Sequence, residues 1–274
     1  MSPTLHTETL GQGLDLFLVH GWALHGGIWD RLVPDLARDW RVTRVDLPGH
    51  GLSRAVPMPA TLPALANLVV HAAPQIAVWL GWSLGGLVVL QAALDFPQRV
   101  RALILTNSTP RFMTAPDWGC AMAPERLAEF SSELARDHHG TVQRFLALQV
   151  QGSEHARVSL RQLSASLSAC AEPDAQSLAT GLEILRSGDL RAAVSRLARP
   201  TLVMTGAHDR LVPPAAGAWL ANAIPDARLF GFPKAAHAPF LSHPEEFIVA
   251  VRDFLKPLHD TAVPASAHGA SRHG

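Results

Sequence analysis

The stretch VWLGWSLGGLV, from Val78 to Val88, places Ser83 between two glycines in the middle of an apolar run. A strand-like run precedes the serine and a helix-like run follows it. The residues from Gly81 to Gly85 match G-x-S-x-G, the pattern of a sharp strand-to-helix turn that exposes a serine hydroxyl as a nucleophile. A small serine packed inside an ordinary turn would show the same five residues, so the rest of the chain decides between these interpretations.

Apolar runs of strand length recur along the chain, and most end in Gly or Ser, as buried parallel strands do where they enter functional loops. These runs are Leu14 to Gly21, Trp40 to Gly49, Gln75 to Gly81, Val100 to Ser108, Arg199 to Gly206 and Ala227 to Phe232. Helix-like stretches separate several of them. The alternation predicts an α/β fold with a mostly parallel central sheet flanked by helices.

The middle of the chain has a different pattern, because residues 110–187 contain no strand-like run and show the spacing of amphipathic helices. We expect residues 1–109 and 188–258 to form one α/β core. Residues 110–187 would then be a helical lid, inserted between the two halves of the sheet and lying over the strand ends where ligands bind. The small, polar residues 259–274 predict a disordered tail.

Composition excludes several classes of partner. The 23 basic residues balance the 23 acidic ones, so no global charge favours nucleic acid or an anionic membrane. A secretory signal is not evident, and no stretch reaches the ~18 apolar residues of a membrane span, which favours a cytoplasmic protein. Cys120 and Cys170 form no CxxC pair and are interpreted as free thiols, not as a disulfide or a metal site.

A serine nucleophile needs a general base, and the base needs a carboxylate to orient it. Asp209 follows the strand-like run that ends at Gly206, and His237 lies in the loop after the next run. The order Ser83, Asp209, His237 predicts a catalytic triad. Taken singly, each residue has a structural interpretation, since aspartate often forms turns and a lone histidine is often structural.

Other residues compete for two of these roles. His208 is adjacent to Asp209 and precedes it in the chain, so His237 is the better candidate for the base. Asp46 belongs to VDLPGHGLS, where we expect it to hold a loop. Asp189 does not follow a strand-like run, which leaves Asp209 as the preferred carboxylate.

Acyl transfer also needs donors for the developing oxyanion. The backbone N–H of Leu84, directly after the serine, is one candidate. The loop VHGWALHGGIW, which follows an early strand, supplies a second in the N–H of Trp22. The side chains of Trp22 and Trp82 would wall an acyl pocket, although ordinary aromatic packing explains Trp82 equally well. No metal or cofactor is expected, because the serine supplies the nucleophile and the N–H groups supply the electrophilic stabilisation.

The chain resembles the α/β-hydrolase superfamily from about Leu14 to Leu258 through its HG, DLPGHG and GxSxG elements. The more particular stretches GWSLGG, RFLALQ, GLEIL and KAAHAPFLSHP are similar to those of the pimeloyl-acyl-carrier-protein methyl ester esterases of biotin synthesis. The resemblance implies hydrolysis of the methyl ester at the far end of a pimeloyl chain that is attached to acyl-carrier protein.

The resemblance also implies further site residues. The substrate-lining positions of that family match Trp22, Ser83, Leu84, Phe145, Leu146, Ala147, Leu148, Gln149 and His237. Its carrier-docking arginines match Arg144, Arg157 and Arg161. Gly140 departs from the pattern, which would offer another arginine there, so docking would be weaker or shifted.

The residues themselves are compatible with this assignment. Between His138 and Ala171 there are three arginines and a single acidic residue, Glu154. Arg157 and Arg161 share a helix face at i and i+4, and guanidinium groups bind carboxylates and phosphates in a bidentate manner. A solvated helix face is the alternative. Phe145, Leu146 and Leu148 likewise have the spacing of ordinary core residues.

Several functions share this residue pattern. The preferred one is a monomeric serine carboxylesterase acting on the pimeloyl methyl ester. A broad short-chain carboxylesterase is the alternative enzyme, and cofactor-free haloperoxidases and carbon–carbon bond hydrolases carry the same triad. A ligand-binding receptor on the same fold is an alternative of another class. Haloalkane dehalogenases are disfavoured because their nucleophile is a carboxylate.

Overall fold

A computed structural model describes residues 4–260 of the chain, with side chains from Thr4 to Leu258. Within this range seven strands form one sheet in the order β1-β3-β2-β4-β5-β6-β7. The strands are β1 (Thr7–Leu10), β2 (Asp15–Val19), β3 (Arg41–Val45), β4 (Ala77–Trp82), β5 (Val100–Thr106), β6 (Thr201–Gly206) and β7 (Ala227–Phe232). Every neighbouring pair is parallel except β1 and β3. The predicted α/β fold is confirmed.

Ten α-helices accompany the sheet in the described residues. They are α1 (Val33–Leu36), α2 (Leu62–Ala72), α3 (Leu84–Asp95), α4 (Pro124–Arg136), α5 (His138–Val150), α6 (Ala156–Ser168), α7 (Ala175–Ser187), α8 (Pro214–Ala223), α9 (Pro239–Ser242) and α10 (Pro244–Asp260). Helix α10 extends into the predicted tail as far as Asp260, and residues 261–274 lie outside the described part of the chain.

The core is centred on β4 and α3, the two elements that Ser83 joins. Every residue of β4 is buried, because β2 and β5 pair with its two edges and helices cover its faces. The residues of α3 from Leu84 to Ala93 are buried as well, so this helix is apolar on all sides. The predicted nucleophile therefore lies at the junction of two buried elements.

Four consecutive helices, α4 to α7, lie between β5 and β6; we call them the inserted helices. Helix α4 packs against α5 and α7, and α5 packs against α6. Asp137 ends α4 and begins α5, where its carboxylate accepts a hydrogen bond from the Gly140 N–H at 2.9 Å.

Two observations of the described residues concern the cysteines and the length of the helices. Cys120 and Cys170 form no disulfide. Among helices within residues 4–260, none is both long and apolar enough to cross a membrane.

Candidate functional site

Ser83 occupies a sharp turn between β4 and α3 with φ 56° and ψ −119°. This left-handed backbone is uncommon for a residue with a side chain. The turn is possible because the flanking glycines let the backbone close up: a Cβ at Gly81 would overlap the carbonyl of Gly85, and one at Gly85 would overlap the carbonyls of Val19 and His20. The structure thus places Ser83 on a strained elbow instead of an ordinary turn.

Asp209 and His237 lie side by side, although 28 positions separate them. The Nδ1 of His237 is 2.8 Å from Oδ2 of Asp209, and both side chains are almost wholly buried. The other carboxylate oxygen of Asp209 accepts backbone N–H bonds from Leu211 at 2.8 Å and Val212 at 3.0 Å. These bonds hold the carboxylate in one orientation, so it can fix the imidazole ring.

His237 is held from two sides. Its backbone N–H donates to the carbonyl of Gln149 at 2.9 Å, and its own carbonyl accepts from the indole N–H of Trp82 at 2.8 Å. Because Asp209 engages Nδ1, Nε2 is the nitrogen left for a second partner. Nε2 is buried and has no hydrogen-bond partner in the described residues. An imidazole in this state has a free nitrogen that can accept a proton.

Asn107 is a contact of Asp209 that the sequence reasoning missed. Its side-chain amide donates to Oδ2 of Asp209 at 2.7 Å and to the carbonyl of Ala236 at 3.1 Å. Asn107 directly follows β5 and has a left-handed φ of 46°. Its position after a strand, next to the strand that carries Ser83, was the available signal, but asparagine is also a common turn former.

Two buried histidines hold the loop that follows β2. His20 contacts the carbonyl of Gly21 through Nδ1 and accepts the N–H of Leu47 at Nε2. His50 contacts the carbonyl of Pro48 through Nδ1 and accepts the N–H of Ala23 at Nε2. Each ring therefore donates at Nδ1 and accepts at Nε2, as only a neutral imidazole can.

Burial supports the neutral state of both rings. It lowers the pKa of His20 well below the ordinary value, with the neighbouring His50 as the next cause. Burial also lowers the pKa of His50 to about 4, against opposing contributions from the Pro48 carbonyl and Asp46. At neutral pH the loop is therefore held by uncharged side chains.

The two predicted backbone donors lie around Ser83. Leu84 is the first residue of α3, so its N–H is among those without a partner inside the helix. Gly21 packs against Ser83 so closely that an added Cβ would lie 3.2 Å from the serine Cβ. This contact brings the neighbouring Trp22 to the serine. The Trp22 side chain points away to α7, where its indole N–H donates to the carbonyl of Leu178 at 2.9 Å.

A largely apolar cavity of about 200 Å³ lies between Ser83 and the inserted helices. Its lining comprises Trp22, Ser83, Phe112, Met113, Met122, Arg126, Leu127, Glu129, Phe130, Glu133, Phe145, Leu148, Leu182, Leu185 and Leu211. Phe145 packs edge-on against Trp22 with 5.0 Å between ring centroids. The lining is mainly apolar, with the Ser83 hydroxyl on one wall and the charged residues Arg126, Glu129 and Glu133 on the inserted helices, which suits a largely hydrocarbon chain with one reactive group.

The predicted segment from Phe145 to Gln149 belongs to helix α5, so its side chains point in different directions and lie in different surroundings. Phe145 and Leu148 line the cavity, whereas Leu146 is fully buried. Ala147 lies in a surface groove, and Leu148 belongs to that groove as well as to the cavity. Gln149 is buried and contributes its carbonyl to His237.

The three predicted docking arginines differ in their ion-pair partners. Arg144 is engaged by carboxylates of the inserted helices, at 3.2 Å from Glu133 and 3.2 Å from Asp137. Arg157 and Arg161 are exposed, and no ion pair of theirs is found among the described residues. Arg144 and Arg157 border the surface groove. At Gly140, an added Cβ would contact the Asp137 carboxylate that caps α5, so a side chain there requires this exposed carboxylate to move.

The rival residues have structural partners elsewhere. Asp46 accepts backbone N–H bonds from Gly26 and Leu52, which holds the loop as expected. Asp189 pairs with Arg191 and Arg111, and these partners lower its pKa to about 2, with the Arg191 hydrogen bond as the largest cause. His208 is exposed.

Comparison with known proteins agrees with the observed fold. A family model described as the alpha/beta hydrolase fold matches residues 16–244. A pimeloyl-[acyl-carrier protein] methyl ester esterase of Xanthomonas oryzae pv. oryzae is 46% identical over 252 residues, which cover 92% of this chain and 98% of that relative.

Solved structures show the same architecture. A hydrolase from Pseudomonas aeruginosa PA01 is 31% identical with a TM-score of 0.78, over 92% of this chain and 94% of that one. A thermophilic esterase from Thermogutta terrifontis is 26% identical with a TM-score of 0.78, over 93% of this chain and 94% of that one.

Proposed function

The chain belongs to the α/β-hydrolase fold family, among the pimeloyl-[acyl-carrier protein] methyl ester esterases, and from this premise we propose its reaction. It is a serine carboxylesterase that hydrolyses the methyl ester of a pimeloyl chain carried by acyl-carrier protein, a step of biotin synthesis. The observation that carries the proposal is the buried pair of Asp209 and His237, in which Nε2 of His237 has no hydrogen-bond partner among the described residues. The strained Ser83 lies on the wall of a mainly apolar cavity.

The first half of the reaction forms an acyl-enzyme. Nε2 of His237 takes the proton of Ser83 while the serine oxygen attacks the ester carbonyl. Asp209 keeps Nδ1 protonated and stabilises the imidazolium that forms. The backbone N–H groups of Trp22 and Leu84 stabilise the oxyanion of the tetrahedral intermediate. His237 then returns the proton to the leaving oxygen, and methanol departs.

The second half releases the acid. A water molecule gives its proton to His237 and attacks the acyl-enzyme carbonyl. The same N–H groups stabilise the second oxyanion, and as this intermediate collapses His237 gives its proton to the departing Ser83 oxygen, which restores the hydroxyl. The products are methanol and pimeloyl-carrier protein with a free carboxylate.

The inserted helices act as a lid that guides the acyl arm. Leu148 lines both the cavity beside Ser83 and the surface groove that Arg144 and Arg157 border. A chain entering from this groove passes Leu148 before it reaches the serine. Arg157 at the groove and Arg161, one turn further along α6, are exposed and have no ion-pair partner among the described residues, which suits an acidic carrier protein.

Replacement of the nucleophile tests the chemistry. Ser83→Ala removes the attacking oxygen, so methanol release from the pimeloyl-carrier methyl ester, followed by the mass of the carrier, should fall at least ~10³-fold. The control is Ser108→Ala, in which the lost hydroxyl donates to the Ser83 carbonyl from outside the reaction path. Full activity of Ser83→Ala would contradict the mechanism.

Carrier docking needs a separate test. The carrier-bound ester should be hydrolysed faster than free short-chain methyl esters, and this preference should fall with added salt. Arg157→Ala combined with Arg161→Ala should reduce the preference about tenfold. The matched control is Arg228→Ala, an exposed arginine on β7. Equal rates on both substrates, insensitive to salt, would instead identify a broad short-chain carboxylesterase.

A further inference from the structure

A cluster of three potential metal ligands lies outside the proposed catalytic site. Glu154 and His155 stand at the start of α6, and His243 lies between α9 and α10. One ligand atom from each of these side chains lies within 4.8 Å of the others. Oε2 of Glu154 is 3.8 Å from Nε2 of His243 and 4.0 Å from Nε2 of His155.

Ser242 lies where it can direct the tautomer of His243. Its hydroxyl is 3.4 Å from the Ala238 carbonyl, to which it can donate. Its oxygen is 2.8 Å from Nδ1 of His243, and in the tautomer with the proton on Nδ1 it accepts a hydrogen bond from that nitrogen. With the proton on Nδ1, a neutral His243 carries its lone pair on Nε2. This atom is buried and has no hydrogen-bond partner among the described residues.

In this tautomer, Nε2 of His243 faces the Glu154 carboxylate with no proton between the two atoms. The lone pair of Nε2 and the Oε2 atom of Glu154 are both electron-rich, and no donor N–H lies between them in the neutral form of the ring. A bound cation would satisfy both atoms at once. Metal-ligating histidines commonly donate their other N–H to an oxygen, as Nδ1 of His243 does to Ser242.

Glu154 is oriented by contacts that leave Oε2 available. Its backbone N–H donates to the Lys234 carbonyl at 3.0 Å, and its Oε1 accepts from Lys234 Nζ at 2.8 Å. Hydrogen bonding to Lys234 lowers the pKa of Glu154, so the carboxylate is charged at neutral pH. His155 is 52% exposed and can turn its ring toward the other two ligands.

We propose that Glu154, His155 and His243 form a binding site for a divalent transition-metal ion, with Zn²⁺ as the best-fitting ion. Two imidazoles and one carboxylate are a common zinc ligand set, at metal–ligand distances of about 2.0–2.2 Å. Ligand atoms in a tetrahedral site are about 3.3 Å apart by those distances, so a closing movement of up to about 1.5 Å, chiefly of the exposed His155, completes the site. A fourth position remains for water.

The ion would connect two parts of the molecule. Glu154 and His155 belong to the inserted helices, whereas His243 follows His237 by six positions through the short helix α9. Metal binding would therefore fasten α6 to the segment that carries His237. This binding site is independent of the proposed esterase function, because none of its three ligands lies in the cavity beside Ser83.

The test uses the full chain with Co²⁺ as a spectroscopic probe of a zinc site, and Zn²⁺ as its competitor. We expect one Co²⁺ per chain with the intense visible absorption of four- or five-coordinate cobalt, displaced by Zn²⁺. His155→Gln and His243→Gln should each weaken binding at least about tenfold. His155 is exposed, so its replacement leaves the fold intact, which circular dichroism verifies.

Two controls separate this site from other histidines. His71→Gln replaces an exposed histidine on α2 and should leave binding unchanged. A triple variant with His259, His268 and His273 replaced by glutamine removes the histidines near the chain end and should also retain it. Zn²⁺ should raise the thermal midpoint of the wild type but not of His155→Gln. Absence of binding, or binding that survives His155→Gln and His243→Gln, overturns the proposal.

Discussion

Three residues of the site hold backbone conformations that are uncommon for side-chain-bearing residues. Ala23, Ser83 and Asn107 have φ values of 66°, 56° and 46°, and they are the non-glycine residues with positive φ in the described chain. They follow β2, β4 and β5, which are three neighbouring strands in the middle of the sheet. Each such residue costs roughly 1–3 kcal/mol. The strain is therefore concentrated at the carboxyl ends of the central strands, around the proposed nucleophile.

Asn107 gives the first prediction at this scale. Asn107→Gly removes the amide that donates to Asp209 while glycine tolerates the positive φ. A hydrogen bond to a charged group is worth about 1.5–3 kcal/mol, so kcat should fall about 10- to 100-fold. KM should stay unchanged, since Asn107 does not line the cavity. Steady-state kinetics on a methyl ester measures both constants.

A comparison with Asn107→Ala separates orientation from strain. Alanine also lacks the amide but tolerates the left-handed backbone poorly, so this variant should match Asn107→Gly in kcat and unfold at a lower temperature. Wild-type kcat in Asn107→Gly would show that Leu211 and Val212 suffice to hold Asp209.

The sequence predicts Ser83, Asp209 and His237 as a triad because each follows an apolar run, and the carboxyl ends of parallel strands lie on the same side of the sheet. Asn107 also follows such a run, but nothing in its immediate neighbours distinguishes an orienting amide from a turn former. The choice of Phe145 to Gln149 came from the resemblance, and the helix then divides these residues between the cavity, the groove and the interior. Contacts of that kind depend on helix packing, which a periodic pattern does not specify.

At the scale of elements, helix α7 supports the loop after β2. The indole of Trp22 lies against Gly181, where an added Cβ would be 2.9 Å from Cδ1 and 3.2 Å from Nε1. The same indole donates to the Leu178 carbonyl. A helix of the insertion thus sets the position of the residue whose backbone N–H we assign to the oxyanion.

Gly181→Ala is the prediction at this scale. The methyl group must displace the indole by a few tenths of an ångström, and the backbone of Trp22 moves with it. We expect kcat/KM to fall about tenfold, which corresponds to ~1.4 kcal/mol of transition-state stabilisation. Gly119→Ala is the matched control, because a Cβ there meets no atom within 4 Å. Equal activity of the two variants would argue against this support.

The edges of the sheet show where strand prediction fails. β1 has only four residues, none of them buried, so it lacks the apolar run that identified the other strands. It forms nonetheless, because β3 offers an unpaired edge to which β1 adds in antiparallel register. Pairing with a partner that is distant in sequence is information that a local pattern does not contain.

At the scale of the whole molecule, the buried histidines His20 and His50 make stability depend on pH. In the unfolded chain a histidine takes up a proton near its ordinary pKa of about 6.5, whereas the fold keeps His50 neutral down to about 4. Between these values the unfolded state binds more protons, so the free energy of unfolding falls as the pH falls. His50 alone should account for a loss of about 3 kcal/mol by pH 4.

Urea unfolding at a series of pH values between 7 and 4 measures this loss. His50→Gln should be less stable than the wild type at neutral pH, because the contacts with Ala23 and Pro48 are disturbed. Its free energy of unfolding should nevertheless decline less steeply as the pH falls, since one of the two histidines with a lowered pKa is gone. Parallel curves for the two proteins would contradict the assignment.

The hydrogen bond from the His237 N–H to the Gln149 carbonyl links the proposed base directly to helix α5, which covers the cavity. Helix α5 supplies that carbonyl and also the cavity residues Phe145 and Leu148. We therefore expect a long acyl chain that packs against α5 to stabilise the position of His237 more than a short chain does. Selectivity for chain length can in this way arise in the rate of proton transfer, not only in the strength of binding.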